Sequence, residues 1–140
     1  MLQIANRLPG ASETSGSAVA ILASEIYAAC REPADAMGAR IKAALAHAAR
    51  DPDLLRPEQR VAQSGCYARH VLYSEPGGLF TVLAIVWAPG QFSAAHAHHT
   101  WCGYAVYENP LHETLFRFDP AVLLRVPSPV VREPPKISFG

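Results

Sequence analysis

The sequence is short of charge of one sign: twelve Lys and Arg are balanced by twelve Asp and Glu over 140 residues. With no basic stripe, nucleic acid is not expected as a partner; with no cationic amphipathic face, neither is a membrane surface. Long hydrophobic runs are also lacking. The longest, LFTVLAIVW at 79–87, falls far short of the roughly 20 apolar residues a spanning helix needs. The opening MLQIANRLPGASETSGS has neither the basic start nor the apolar core of a leader, so nothing marks the chain for export. Cysteine is scarce: Cys30, Cys66 and Cys102 are odd in number and widely spaced. They do not form a disulfide framework, and a reducing cytoplasm is the expected location.

Hydrophobic residues make up 50% of the chain, enough to build a core, and the length is that of one domain. Residues 1–16 are polar, with Gly, Ser and Pro, and are expected to form a flexible N-terminal arm. A single domain is expected over 17–140. SAVAILASEIYAACRE (17–32) predicts a helix, with Ser17 as its cap and Pro33 as its stop. In ADAMGARIKAALAHAARD (34–51), Met37, Ile41, Leu45 and Ala48 recur at helical spacing and share a face. PDLLRPEQR (52–60) reads as a helix-like turn segment, so the helical part covers 17–60.

From residue 66 the pattern changes. CYARHVLYSE alternates and runs into PGG, LFTVLAIVW reads as a buried strand, and WCGYAVYE and HETLFRF read as two more strands. The tail holds five prolines between 119 and 135, a density central strands do not tolerate, and KISFG predicts a last strand. Helices followed by short strands argue an α+β fold, with helices packed on an antiparallel barrel or sandwich.

GQFSAAHAHHTWCGY (90–104) carries three of the six histidines. On a strand, His96 and His98 would point to one face and could reach one ion, whereas His99 would point away. Imidazole suits several transition metals, and the pair alone does not choose among them. By itself such a pair could equally line a polar barrel mouth. Gly90 completes the spacing G-x5-H-x-H, the opening of the first cupin motif. Where that motif places a glutamate this chain has Cys102 or Gly103, depending on the loop length, and Asn109 stands at its closing glycine.

A cupin with cysteine at the glutamate position resembles the cysteine dioxygenase type of thiol dioxygenase. The likeness extends through YARHVLYSEPGGLFTVLAIVWAPGQFSAAHAHHTWC and NPLHETLF, and covers roughly 17–118. It implies N-terminal helices on a cupin double-stranded β-helix, or jelly-roll barrel, over 66–140. It implies a mononuclear Fe(II) held by three histidines, with His96 and His98 matching the first two. It also implies oxidation of L-cysteine, or a related small thiol, by O2 to the sulfinic acid. Arg69 matches the arginine that pairs with the substrate carboxylate, Tyr67 matches a pocket tyrosine, and Cys102 aligns with the cysteine that some members link to a tyrosine. Without the resemblance, Arg69 reads as a surface arginine, Tyr67 as a barrel-wall aromatic and Cys102 as a small buried hydrophobe. His70, His112 and His47 read as ordinary structural or surface residues.

No histidine follows His112, so the third ligand, the closing strands and the tyrosine partner for Cys102 are expected to lie beyond residue 140, as in a family member cut short. Two imidazoles alone make a weak site, and Glu108 or Glu113 is a distant alternative third ligand. An incomplete barrel would expose strand edges and favour an oligomer through the exposed edge. The alternative to an enzyme is a catalytically impaired, truncated cupin that binds metal weakly or acts as an interaction module.

Overall fold

The computed structural model describes residues 1–5, 16–119, 122–126 and 129–140. Two helices, α1 (Ser17–Ala29) and α2 (Ala34–Ala48), precede a 3-10 turn at Pro57–Arg60. The strands are β1 (Leu2–Ala5), β2 (Ala68–Ser74), β3 (Thr81–Val86), β4 (Gly103–Ala105), β5 (Leu111–Glu113), β6 (Phe116–Asp119), β7 (Val122–Arg125), β8 (Val130–Arg132) and β9 (Ile137–Phe139). They form a five-stranded sheet in the order β2-β3-β1-β4-β9, a β5–β8 ribbon and a β6–β7 ribbon. Every described strand pair is antiparallel. The α+β class expected from the sequence is what the chain adopts. No described helix is long and apolar enough to cross a membrane.

The start of the chain departs from the expected arm. Leu2–Ala5 is the middle strand of the large sheet, paired with β3 on one side and β4 on the other. The physical reason is the alternation in LQIA. Leu2 points to the helix side and is 0% exposed, lying in register with Ala84 and Ala105, which are themselves buried. Gln3 points to the opposite face, in register with Leu83 and Tyr104. The Met1 amino group donates to the Ile85 carbonyl at 2.8 Å. The rest of the expected arm, 6–15, lies outside the described residues, as do Pro120 and Pro127 of the proline-rich tail.

Both helices bury a stripe at three- and four-residue spacing. In α1 it is Val19, Leu22, Ala23, Ile26 and Ala29; in α2 it is Gly38, Ile41, Ala44, Leu45 and Ala48. Ser17 is the first helical residue rather than the cap; Gly16 takes the cap position without a side-chain bond. Pro33 caps α2, since its fixed φ suits the entry to a helix and its missing N–H costs nothing there.

Two glycines set how closely α2 lies on the sheet. A Cβ at Gly38 would sit 2.9 Å from two ring carbons of Phe139, and one at Gly103 would sit 3.2 Å from Ile41 and Leu45. Phe139 in turn stacks on Trp101 with ring centroids 5.8 Å apart. KISFG forms the expected last strand, β9, which pairs with β4.

The second half holds more, shorter strands than its sequence pattern predicts. HETLFRF is divided between β5 and β6, which pair with β8 and β7 respectively. The proline-flanked strands β7 and β8 occur only in two-stranded ribbons, the setting in which a missing N–H is tolerated.

Candidate metal centre

The sheet has two faces. The helix side carries Leu2, Ala84, Gly103, Ala105 and Phe139. The register puts Arg69 beside Ile85, Leu83 beside Gln3, Gln3 beside Tyr104, and Tyr104 beside Ser138, all on the opposite face. Cys102, two residues before Tyr104, follows that face: its Sγ accepts a hydrogen bond from Gln3 Nε2 at 3.3 Å. Backbone bonds between Cys102 and Gly140 extend the β4–β9 pairing past the strand ends.

Arg69 is exposed on edge strand β2. Tyr67, just before β2, is half-buried against Trp87, with ring centroids 5.5 Å apart. Because β1 enters between β3 and β4, β2 and β4 are three strand spacings apart, roughly 14 Å at about 4.8 Å each. Arg69 and Cys102 therefore share a face without touching.

Burial raises the Cys102 thiol pKa above its ordinary value; the Gln3 contact acts the other way and is the smaller influence. Cys102 is held as a neutral thiol packed against the sheet. Cys30 is half-buried and Cys66 exposed, and both are free.

The histidine segment differs from its expected form. Residues 91–98 make no strand, and the whole stretch from Ala94 to Thr100 is exposed. Gly90 enters it with φ +84°, a conformation other residues rarely adopt. With no paired strand to hold it, the segment's side-chain directions come from local contacts. Even so, the His96 and His98 rings lie against each other edge to face, with centroids 5.2 Å apart and planes at 79°. His96 Nδ1 lies 2.7 Å from the Ala94 carbonyl. A carbonyl only accepts, so Nδ1 carries the proton and Nε2 presents its lone pair. Metal-ligating imidazoles are commonly fixed by such a bond. Partial burial, and secondarily the nearby His96 ring, lower the His98 pKa below its usual value, which favours the neutral ligand form.

The spacing can be tested against a shared ion. With a metal–nitrogen bond of about 2.1 Å and a ring centre about 1.2 Å behind the nitrogen, two imidazoles on one ion have centroids about 4.7 Å apart at a right angle and about 5.4 Å apart at the tetrahedral angle. The observed 5.2 Å lies between these values, so the separation permits both rings to share an ion. Among the described residues no group of three His, Cys, Asp or Glu converges as a metal site. The residues present thus fit two ligands of a metal, not the three-histidine set that the resemblance implies.

The carboxylates considered as substitutes are engaged elsewhere. Glu108 accepts from Arg60 at 3.0 Å. Glu113 accepts from Arg132 Nε at 2.8 Å and Nη2 at 2.6 Å on one oxygen, and from the Tyr104 hydroxyl at 3.2 Å on the other. The Tyr104–Glu113–Arg132 cluster links the β5–β8 ribbon to the main sheet. Sequence reading missed it because its members are 28 residues apart at the extremes and share no spacing motif. His70 points to the helix side, in register with Ala84, and its Nε2 is buried without a hydrogen-bond partner among the described residues.

No family model matches the chain, and no curated protein matches it significantly.

Proposed function

We propose that the chain is a metal-binding cupin of the cysteine dioxygenase type, with its strands belonging to a cupin-like barrel and His96 and His98 as ligands of Fe(II). The observation that carries this reading is the imidazole pair: ring centroids at 5.2 Å, one tautomer set by the Ala94 carbonyl, within the spacing G-x5-H-x-H. Iron, when bound, would bring thiolate and O2 together and supply the electron chemistry. That chemistry would balance without an outside reductant, since forming the sulfinic acid takes four electrons from sulfur and O2 accepts four. The chain's own contribution is binding and orientation. The exposed guanidinium of Arg69 offers a planar fork to the carboxylate of a cysteine-like substrate, and the Tyr67–Trp87 pair walls the strand beside it. Cys102 is a packed neutral thiol on the same sheet face.

The test is oxygen uptake by the iron-loaded chain with L-cysteine, with the sulfinic acid measured as product. Uptake lost in His96→Ala and weakened in KM by Arg69→Gln supports the reading. Stoichiometric iron with no sulfinate removes the activity and leaves the metal site.

A second reading, an impaired cupin that serves as an interaction module, is favoured by a different observation. Leu115, Phe116, Val122 and Val126 are all exposed on and beside the β6–β7 ribbon. Apolar residues gathered on one ribbon make a surface suited to another protein. Retention of this chain as a stable oligomer whose formation is lost in Phe116→Ser and Val122→Ser supports it.

A further inference from the structure

The imidazole pair lies at the surface, and this bears on what completes a metal's coordination. Ala94 to Thr100 is exposed throughout, so an ion on His96 and His98 would sit at the protein–solvent boundary, open to ligands from outside the chain. The 5.2 Å ring separation leaves room for both rings on one ion, and a tetrahedral ion held by two imidazoles takes two further ligands. Phe92, four residues before His96, is 81% exposed and lies along the same segment.

We propose that His96 and His98 bind a tetrahedral divalent ion, zinc in the first instance, jointly with the same pair from a second copy of this chain. The inference rests on the reading that these two side chains chelate one metal ion. A two-fold axis through the ion relates the imidazoles in two equivalent pairs, His96 with His96 and His98 with His98 of the copy, and lets one surface segment meet its own copy, the self-complementary arrangement of most dimers. Zinc has no geometric preference beyond ligand packing and accepts four neutral imidazole nitrogens. Phe92, exposed in the same segment of each copy, offers apolar area to the pairing that metal ligation alone lacks. His99 takes no part, and Cys102, bonded to Gln3 within the sheet, is unavailable.

The arrangement also bears on the proposed iron chemistry. Nitrogen sites hold zinc more strongly than Fe(II), and an ion with four protein ligands has no position left for thiolate or O2. Zinc-bridged pairing is therefore an inactive state of the same site.

The experiment is a zinc titration of the full chain, with bound zinc counted per chain after gel filtration and molar mass read by light scattering. The expected result is saturation at one zinc per two chains, a doubling of mass reversed by EDTA, and loss of both in His98→Ala but not in His99→Ala. Because both residues are exposed, a far-ultraviolet circular dichroism spectrum matching the wild type shows that each variant is folded. One zinc per chain with unchanged mass overturns the bridge and leaves chelation by the pair intact. Zinc that stays bound in His98→Ala, or is lost in His99→Ala, overturns the ligand assignment. No retained zinc and no retained Fe(II) overturns the inference and the metal-site reading together.

Discussion

The helix-backed sheet and the histidine segment are opposites within one chain. In the first, Leu2, Leu22, Ile26, Ile41, Leu45 and Val82 are almost fully removed from water, and the central strand β1 is set by neighbours on both sides. In the second, seven consecutive residues from Ala94 to Thr100 are exposed, and one side-chain-to-carbonyl bond orients the key ring. Stability is stored in the first region and candidate chemistry in the second. Changes in one should be nearly silent in the other.

The largest expected effect breaks the sheet. Leu2→Ala removes a fully buried side chain from the central strand, and should cost about 2–4 kcal/mol in urea or thermal unfolding. Were Leu2 part of a solvated arm, the cost would be near zero, so this one substitution decides whether β1 belongs to the sheet. His98→Ala is the counterpart on the other side. Metal affinity should fall by more than roughly tenfold, about 1.4 kcal/mol, while folding stability stays within about 0.5 kcal/mol of wild type. Isothermal titration paired with a urea melt reads both. A large loss of stability in His98→Ala would mean that the segment is not independent of the core.

Gly38→Ala sharpens the comparison within the stable half. Alanine is the better helix former by about 1 kcal/mol, so on an exposed face this change would stabilise. Here the new Cβ meets the Phe139 ring at 2.9 Å, and that ring is stacked on Trp101. Overpacking should win, with a net loss of about 1 kcal/mol on thermal melting. Gly38→Ala combined with Phe139→Leu should recover part of it; no recovery would place the strain elsewhere.

These contrasts also explain what could be read from the residues alone. The helical stripe Ile41, Leu45 and Ala48 and the run LFTVLAIVW were legible because burial imposes a period, and the period is visible in one segment at a time. The start of the chain was not: four residues, LQIA, are too few to establish alternation, and their partners stand some eighty and a hundred positions away. HETLFRF looked like one strand because nothing within it reveals that its two halves pair with different partners. At the candidate site, the residue types and the His96–His98 spacing could be read, but their setting could not. The i, i+2 rule assumes a strand, whereas here the rings meet across an irregular, exposed stretch. Engagement of Glu113 by Arg132 and Tyr104 depends on tertiary contacts with no local signature.

Cys102 lies between the two regions and gives the smallest and most discriminating effect. It is on the sheet, yet only three residues beyond His99. Its thiol pKa is raised mainly by burial, so the folded chain holds the proton to higher pH than the unfolded chain does. Below the ordinary thiol pKa both states are protonated and the group contributes nothing to pH dependence. As pH rises through and above that value the unfolded state releases the proton first, and stability falls. The stability of wild type relative to Cys102→Ala should therefore decline from pH 8 to pH 10 in paired urea melts. Cys30, shifted the same way by its own burial, remains in both proteins and cancels. Gln3→Leu should steepen the decline, because the Gln3 amide is the group that favours the thiolate. If instead the wild type gains on Cys102→Ala as pH rises, the hydrogen bond outweighs burial. Cys102 would then be a thiolate-forming residue beside the histidine segment rather than a packing residue of the sheet.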